Sequence, residues 1–412
     1  MNPPSPPPST VDLNNRPKSL VVVTGAAIAF AIMGDSLMYS LLPLEAANLG
    51  IPFEAVGVLL AANRIVRLLS NTWASLAFER WGPRRPFILA AVLGFITTVL
   101  YGVGWGFGVF LLARAGWGIA WSAFRQGGYQ AVWAESEAIK GRLMGLLWGI
   151  VRLGSAVSVI LGGYLYDIYG YKSAVGAVAF GTLLAIPVAL KIRWPGIKSA
   201  LPAPPRSPFE GWRTAFETKP RRRVLFVGFM YTFFEGVLGA TASLFLAAKL
   251  GAGYSLANFG IGTLAGIMLA VRYIANMFFG PLLGALSDRL GQAPTISILS
   301  AGILAGISGA VLLPGFWPLL CLALVFFAGS GMFAACNAAA SGLAQQTKRP
   351  QLFVGFFSTS IDAGAALGPL LVYSTGNENL FSAIYISAAI LLLISSFRYM
   401  HAEKWAGFAA GL

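Results

Sequence analysis

The sequence predicts an all-α membrane protein of twelve transmembrane helices, arranged as two pseudo-symmetric halves of six. Three observations support this. Hydrophobic residues fill 57% of the 412 positions and charged residues only 11%, with a mean hydropathy of +0.72, far from a soluble domain of this length. Apolar runs of about twenty residues, enough to cross ~30 Å of hydrocarbon, recur along the whole chain. Two segments 210 residues apart, Gly145-Leu-Leu-Trp-Gly-Ile-Val-Arg152-Leu-Gly154 and Gly355-Phe-Phe-Ser-Thr-Ser-Ile-Asp362-Ala-Gly364, share their flanking glycines in register.

The runs fall at 20–43, 55–78, 86–104, 106–128, 143–166, 172–190, 224–248, 257–283, 295–313, 317–343, 352–373 and 380–397. Each is expected to be a helix, because lipid offers no partner for unpaired backbone groups and no segment alternates like a barrel strand. Residues 1–18 read as a disordered proline-rich tail rather than a cleavable signal peptide. The first half then covers 19–191, a cytoplasmic linker 192–223, the second half 224–398 and a cytoplasmic tail 399–412. The linker holds Pro195, Pro202, Pro204, Pro205 and Pro208 and ends in Lys219-Pro-Arg-Arg-Arg223. Phe209, Trp212 and Phe216 within it suit a short amphipathic surface helix, with the basic cluster anchoring span 7 at anionic headgroups or serving only as a topology signal.

The net charge of +14 does not indicate a nucleic-acid partner. Of 29 Lys and Arg, 21 lie in the tails and in the loops on one side, only Lys172 and Lys249 lie on the other, and six lie within spans. That asymmetry is the positive-inside rule, so the chain is expected to be multi-pass in the cytoplasmic (inner) membrane with both termini cytoplasmic. Cys321 and Cys336 are fifteen residues apart on one helix, roughly 22 Å at 1.5 Å per residue, too far to pair. The single His401 leaves no histidine-based metal site and no hydrolytic dyad, so no metal, no cofactor and no enzyme activity are expected.

The turn after span 2 reads Ser75-Leu-Ala-Phe-Glu79-Arg80-Trp-Gly82-Pro-Arg84-Arg85, and the turn after span 8 reads Gly284-Ala-Leu-Ser-Asp288-Arg289-Leu-Gly291. Both resemble the loop pattern Gly-x-x-x-Asp-Arg-x-Gly-Arg-Arg of the major facilitator superfamily (MFS). The first copy departs from it at Ser75, Glu79 and Pro83, and the second lacks the basic pair. With twelve spans and a basic central linker, the resemblance covers essentially the whole chain. It implies a cytoplasmic gate at Glu79, Arg80, Arg84, Asp288 and Arg289, closing on the end of span 11.

Nine charged residues lie within spans: Asp35, Arg64, Arg67, Arg114, Arg125, Arg152, Glu235, Arg272 and Asp362. Each costs at least ~2.5–3.5 kcal/mol near the bilayer centre, so each is expected to face protein or water. Asp35 lies fifteen residues before Gly50 and Glu235 sixteen before Gly251, in similar runs, which makes them counterparts on spans 1 and 7. Arg114, Trp117, Trp121 and Arg125 form one stripe of span 4 that presents either cations and aromatic faces to a ligand or packing groups to the half. The segment Arg114-Ala-Gly-Trp-Gly118 resembles the span-4 motif of proton-coupled family members, whose arginine works beside an acid on span 1. That resemblance implies proton coupling at Asp35, Glu235 and Arg114; a fixed Asp35–Arg114 salt bridge is the alternative. The drug-exporter pattern on span 5 is incomplete here, with Ser158-Val159 at its central Gly-Pro.

If spans 2 and 11 pack together, as the resemblance implies, Asp362 pairs with Arg64 or Arg67. Spans 5 and 8 would likewise bring together Arg152 and Arg272, two unpaired cations suited to an anion. The expected function is therefore alternating-access secondary transport by a monomer. Its partners would be protons and a small organic solute, anionic or amphipathic, bound at Arg114, Trp117, Trp121, Arg125, Arg152 and Arg272. Efflux is favoured by the span-1 acid and span-4 arginine. A proton-linked metabolite importer or facilitator is the alternative, and a non-transporting membrane sensor or scaffold with the same fold is the alternative from another class.

Overall fold

The structure, a computed structural model, describes residues 17–134, 140–194, 213, 215–251, 259–347 and 350–409. Within them run thirteen α-helices: α1 Pro17–Ala31, α2 Met33–Glu45, α3 Phe53–Trp81, α4 Arg84–Val103, α5 Gly106–Trp133, α6 Lys140–Leu183, α7 Ala185–Lys191, α8 Lys219–Leu250, α9 Ile261–Leu290, α10 Gln292–Leu312, α11 Trp317–Gln345, α12 Pro350–Ser374 and α13 Phe381–Ala409. No strand occurs among the described residues beyond an isolated bridge at Phe259. The tail residues 1–16 and most of the expected surface helix at 209–216 lie outside the described residues.

Ten segments are long and apolar enough to cross a membrane. One of them, Leu143–Lys191, is 49 residues, some 70 Å at 1.5 Å per residue and more than twice the hydrocarbon thickness. It folds back at Gly170, whose φ of 78° and ψ of 177° break the helix, so it holds spans 5 and 6. The polar α3, with Asn63, Arg64 and Arg67 in its middle, is span 2 and completes the twelve. The α1–α2 pair is span 1, α4 and α5 are spans 3 and 4, and α8 to α13 are spans 7 to 12.

Several helices overrun the apolar stretches that announce them. Span 7 begins at Lys219, so the cluster Lys219–Arg223 is its first turn rather than linker. Pro220 permits this, since the first turn of a helix needs no N–H from it. The loop pattern also has a conformational reason. Gly82 and Gly291, its glycines, end α3 and α9 at φ of 70° and 89°, in a region side-chain-bearing residues rarely adopt.

The halves meet as expected, α3 on α12 and α6 on α9, with α8 packed on α12 inside the second half. They are joined at the end of the bundle far from the basic loops. There Phe53 of α3 lies 4.9 Å from the Tyr373 ring and 6.2 Å from Phe381. A Cβ on Gly57 would meet the Pro369 carbonyl at 2.5 Å, and one on Gly163 or Gly266 would strike the backbone of the facing helix. The outer part of span 1, α2, packs on α8 and α9, whereas α1 packs within its own half on α4 to α7. The apolar core follows the same division. One cluster joins both halves at the far end and continues to the basic end of the second half, and another, from Val21 through Phe124 to Ile192, serves only the basic end of the first half. Among the described residues, the aromatic contacts and the tightest glycine contacts between the halves lie at the far end.

Gly163→Val should destabilise the protein by about 1–3 kcal/mol, because a branched side chain overpacks the α6–α9 contact. Gly145→Ala, with no atom within 4 Å of the new Cβ, should leave the melting midpoint unchanged. Equal midpoints for the two variants would show that this contact does not hold the halves together.

Candidate functional site

The deepest charge is Arg114 on α5, with no exposed surface. Its Nη1 donates to Oδ1 of Asp35 on α2, Nε to the Leu59 carbonyl at 2.9 Å, and Nη2 to the Leu60 carbonyl and the Tyr39 hydroxyl, each at 3.2 Å. Its guanidinium also stands 5.1 Å from the Tyr39 ring centroid. All three nitrogens are engaged, which a buried guanidinium requires. Asp35 is 13% exposed and receives a second bond on Oδ1 from Asn63 Nδ2 at 3.1 Å. Oδ2 accepts no bond among the described residues.

The second half repeats the arrangement with a stronger donor. Glu235 Oε2 on α8 accepts from Arg272 Nη2 on α9 at 2.5 Å. Asn63 and Arg272 each stand seventeen residues before the loop arginine, Arg80 and Arg289, so they occupy the same place in the two repeats. In each half an acid on the first span is held by a side chain from the second. Beside Glu235, the Tyr231 hydroxyl donates to the Gly329 carbonyl at 2.8 Å.

Across the seam, Asp362 of α12 lies 3.6 Å from Arg67 of α3 and 3.9 Å from Arg125 of α5. Arg64 turns to the Ala365 carbonyl of the same helix, at 2.5 Å, and lies 5.8 Å from the Tyr39 ring. The expected facing pair of bare cations at α6–α9 is not found, because Glu235 neutralises Arg272. Arg152, like Arg64, has no carboxylate within ion-pair distance among the described residues, and it rests 5.6 Å from the Tyr273 ring centroid.

The other expected residues separate by position. Trp117, 2% exposed, is core in the first half, 6.2 Å from Phe124, with Trp121 5.9 Å from it and 5.9 Å from Trp148. Burial of Arg114 and Trp117 turns the inner part of the span-4 stripe into packing, leaving Trp121 and Arg125 half-buried beside the seam. Arg80, Arg84 and Arg289 are exposed at the basic end, and the side chains of Glu79 and Asp288 lie outside those described.

Asp167, at the far end of α6, is a residue that sequence reasoning missed. It accepts from the backbone N–H of Gly262 at 3.0 Å and of Thr263 at 2.8 Å, and from the Thr263 hydroxyl. A carboxylate from one half thus caps the first turn of a helix in the other, where the helix dipole favours an anion. Its place just beyond an apolar run made it look like a loop residue. Asn63 was missed too, although counting back from the two loop arginines aligns it with Arg272.

A helical bundle in two repeated halves, with charged residues lining the seam between them, has the architecture of a membrane transporter. The family model of the Major Facilitator Superfamily matches residues 24–269 and 224–404, and the chain belongs to that superfamily. Among curated relatives, the vesicular acetylcholine transporter of Tetronarce californica is 29% identical over 118 residues, 28% of this chain and 23% of that protein. The chromaffin granule amine transporter of Rattus norvegicus is 27% identical over 144 residues, 34% of this chain and 27% of that protein. The chain spans about a quarter of the length of the relatives it matches. Among solved structures, the nucleoside transporter NupG superposes with a TM-score of 0.76 at 12% identity, covering 94% of this chain and 99% of that one. A bacterial homologue of the human lysosomal transporter Spinster, inward-facing and unoccupied, superposes with a TM-score of 0.71 at 14% identity, covering 95% and 98%. At such identities the structures share the fold alone.

Asp35→Asn should cost about 3–5 kcal/mol by leaving Arg114 buried without its counter-charge. Adding Arg114→Gln should recover part of that loss, giving a coupling energy of about 1 kcal/mol or more in a double-mutant cycle. Additive losses in chemical denaturation would show that the two groups do not depend on one another.

Proposed function

We propose that the protein is a secondary active transporter that moves a small organic anion together with protons by alternating access, working as a monomer in the cytoplasmic membrane with both termini on the cytoplasmic side. The observation that supports the anion is the residue of charge after pairing. Six arginines face three acids inside the spans. Once Asp35, Glu235 and Asp362 are matched, Arg64 and Arg152 have no carboxylate within ion-pair distance among the described residues. Uncompensated cations at mid-membrane are costly, and a bound carboxylate or phosphate offsets that cost. Flanking aromatic rings of Tyr39 and Tyr273 favour a substrate with an apolar or aromatic body.

Coupling follows from competition for the same arginine. While Glu235 is ionised it occupies Arg272; a proton on Glu235 frees Arg272 for the substrate beside Arg152. Proton and anion then bind with positive cooperativity, a linkage that works in both directions. Asp35, with Oδ2 free, is the matching proton site of the first half. Binding together favours symport and uptake over the efflux suggested by the span-1 acid and span-4 arginine. The basic end is the cytoplasmic one under the positive-inside rule.

A second reading rests on the relatives, whose names are those of an acetylcholine and an amine transporter. An organic cation would need an unpaired acid, and Asp35, Glu235 and Asp362 each already meet an arginine.

The test is ligand-induced stabilisation of the purified protein across panels of organic anions, amines and nucleosides, followed by uptake into proteoliposomes under a pH gradient. A ligand at ~100 times its dissociation constant adds ~2.7 kcal/mol to stability. Organic anions should stabilise, and more tightly as pH falls. Arg152→Gln should weaken binding about tenfold or more, the loss of ~1.4 kcal/mol of charge interaction. Glu235→Gln should bind the anion well and lose the pH dependence. Stabilisation by amines, with Arg152→Gln improving their binding, would replace the anion reading with the second.

A further inference from the structure

We infer that the groove between the basic ends of α8 and α13 is a binding site for the phosphate of an anionic phospholipid headgroup. A cleft of about 630 Å³ opens there, lined by Lys219 and Arg223 of α8 and by Phe397, Arg398, His401 and Trp405 of α13. Lys219 and Arg223 are four residues apart and share one helix face; His401 and Trp405 do the same on the facing helix. Three cations therefore line the cleft with no carboxylate among its lining residues. The nearby acids are turned elsewhere: Glu217 meets Arg221 at 2.8 Å, and Glu403 accepts from the Tyr399 hydroxyl at 3.4 Å.

Two features ask for an anion at this place. The first turn of α8 has no acidic residue and is instead basic, so cations sit at the positive end of the helix dipole. Like charges at i, i+4 add to that cost. His401 is also held in one orientation: its Nε2 accepts from the indole Nε1 of Trp405 at 2.8 Å. That leaves Nδ1 as the protonated nitrogen of the neutral ring, a further donor beside the cations.

The vertical order of the groove selects a lipid over a soluble phosphate. α8 starts at the basic end and α13 finishes there, so Lys219 and Trp405 stand at the rim, Arg223 and His401 one turn deeper, and Arg398 and Phe397 deepest. Phe397 and Trp405 are 49% and 65% exposed. Cations and a donor from the rim down to Arg398, the exposed Phe397 ring beside it on the hydrocarbon side and an indole at the interface match a headgroup phosphate with acyl chains running down the helices.

The experiment measures binding of phosphatidylglycerol in mixed micelles to the delipidated full-length protein, with phosphatidylcholine and sodium phosphate as the other probes. Phosphatidylglycerol should bind saturably and phosphatidylcholine should not. R223Q/R398Q should weaken binding about tenfold or more, since each interfacial cation contributes to anionic-lipid attraction. R84Q/R85Q, which removes the same charge from the basic start of α4, should leave it unchanged. H401Q should weaken binding severalfold and provides the same test if the double variant does not fold. Equal weakening by R84Q/R85Q would reduce the effect to general surface charge and overturn the site. Saturable binding of sodium phosphate that displaces the lipid would assign the groove to a soluble phosphate and overturn the lipid.

Discussion

A guanidinium with no access to water in the middle of a membrane bundle constrains everything around it. Arg114 is tolerated because α2 supplies a carboxylate, α3 supplies two carbonyls and Tyr39 supplies a hydroxyl and a ring face. Three helices are thereby fixed to one another around a single side chain. Shifting any of them by one residue would strand a charge in a low-dielectric interior, where such a group costs several kcal/mol. The Glu235–Arg272 pair does the same in the second half with two helices and a shorter list of partners. Each half thus carries a buried ion pair that ties its helices together.

The seam contacts differ in kind from those inside the halves. Asp362 meets two arginines at 3.6 and 3.9 Å, loose distances for ion pairs, and all three groups are partly exposed. Asp167 caps α9 through backbone N–H groups that can revert to other partners when the helices part. Glycine-to-backbone contacts at Gly163 and Gly266 add close packing without long interdigitating side chains. Such contacts break at small cost and re-form with the same geometry, as an interface that opens and closes requires.

The architecture was largely legible in the sequence because a membrane imposes long apolar runs and basic loops on any chain that crosses it. The resemblance placed Asp362 beside Arg64 or Arg67, and Arg67 is the one within ion-pair distance. What could not be read was which partner each charge selects. Arg152 and Arg272 were expected to face each other bare, yet Glu235, one helix away, lies within reach of Arg272. Helical periodicity gives the face of a residue and says nothing of how far a long side chain extends across it. The span-4 stripe failed for a related reason: Trp117 and Arg125 share a face, but the helix passes from core to seam along its length. Helix ends were also misjudged, because the cluster Lys219–Arg223 is polar by composition and helical by continuity with α8.

Alternating access requires the two halves to move as rigid bodies about a seam capped at the far end by Asp167. Pulsed electron–electron distance measurements test it most directly, on protein with Cys321 and Cys336 replaced. One pair of spin labels, at the exposed positions Tyr169 and Leu312, spans the halves at the far end; another, at Trp105 and Tyr169, lies within the first half. On this account the Asp167→Asn substitution, which weakens the cap on α9, adds a longer distance to the first pair and leaves the second as a single unchanged peak. An unchanged far-end distance together with a split distribution inside the first half would contradict it.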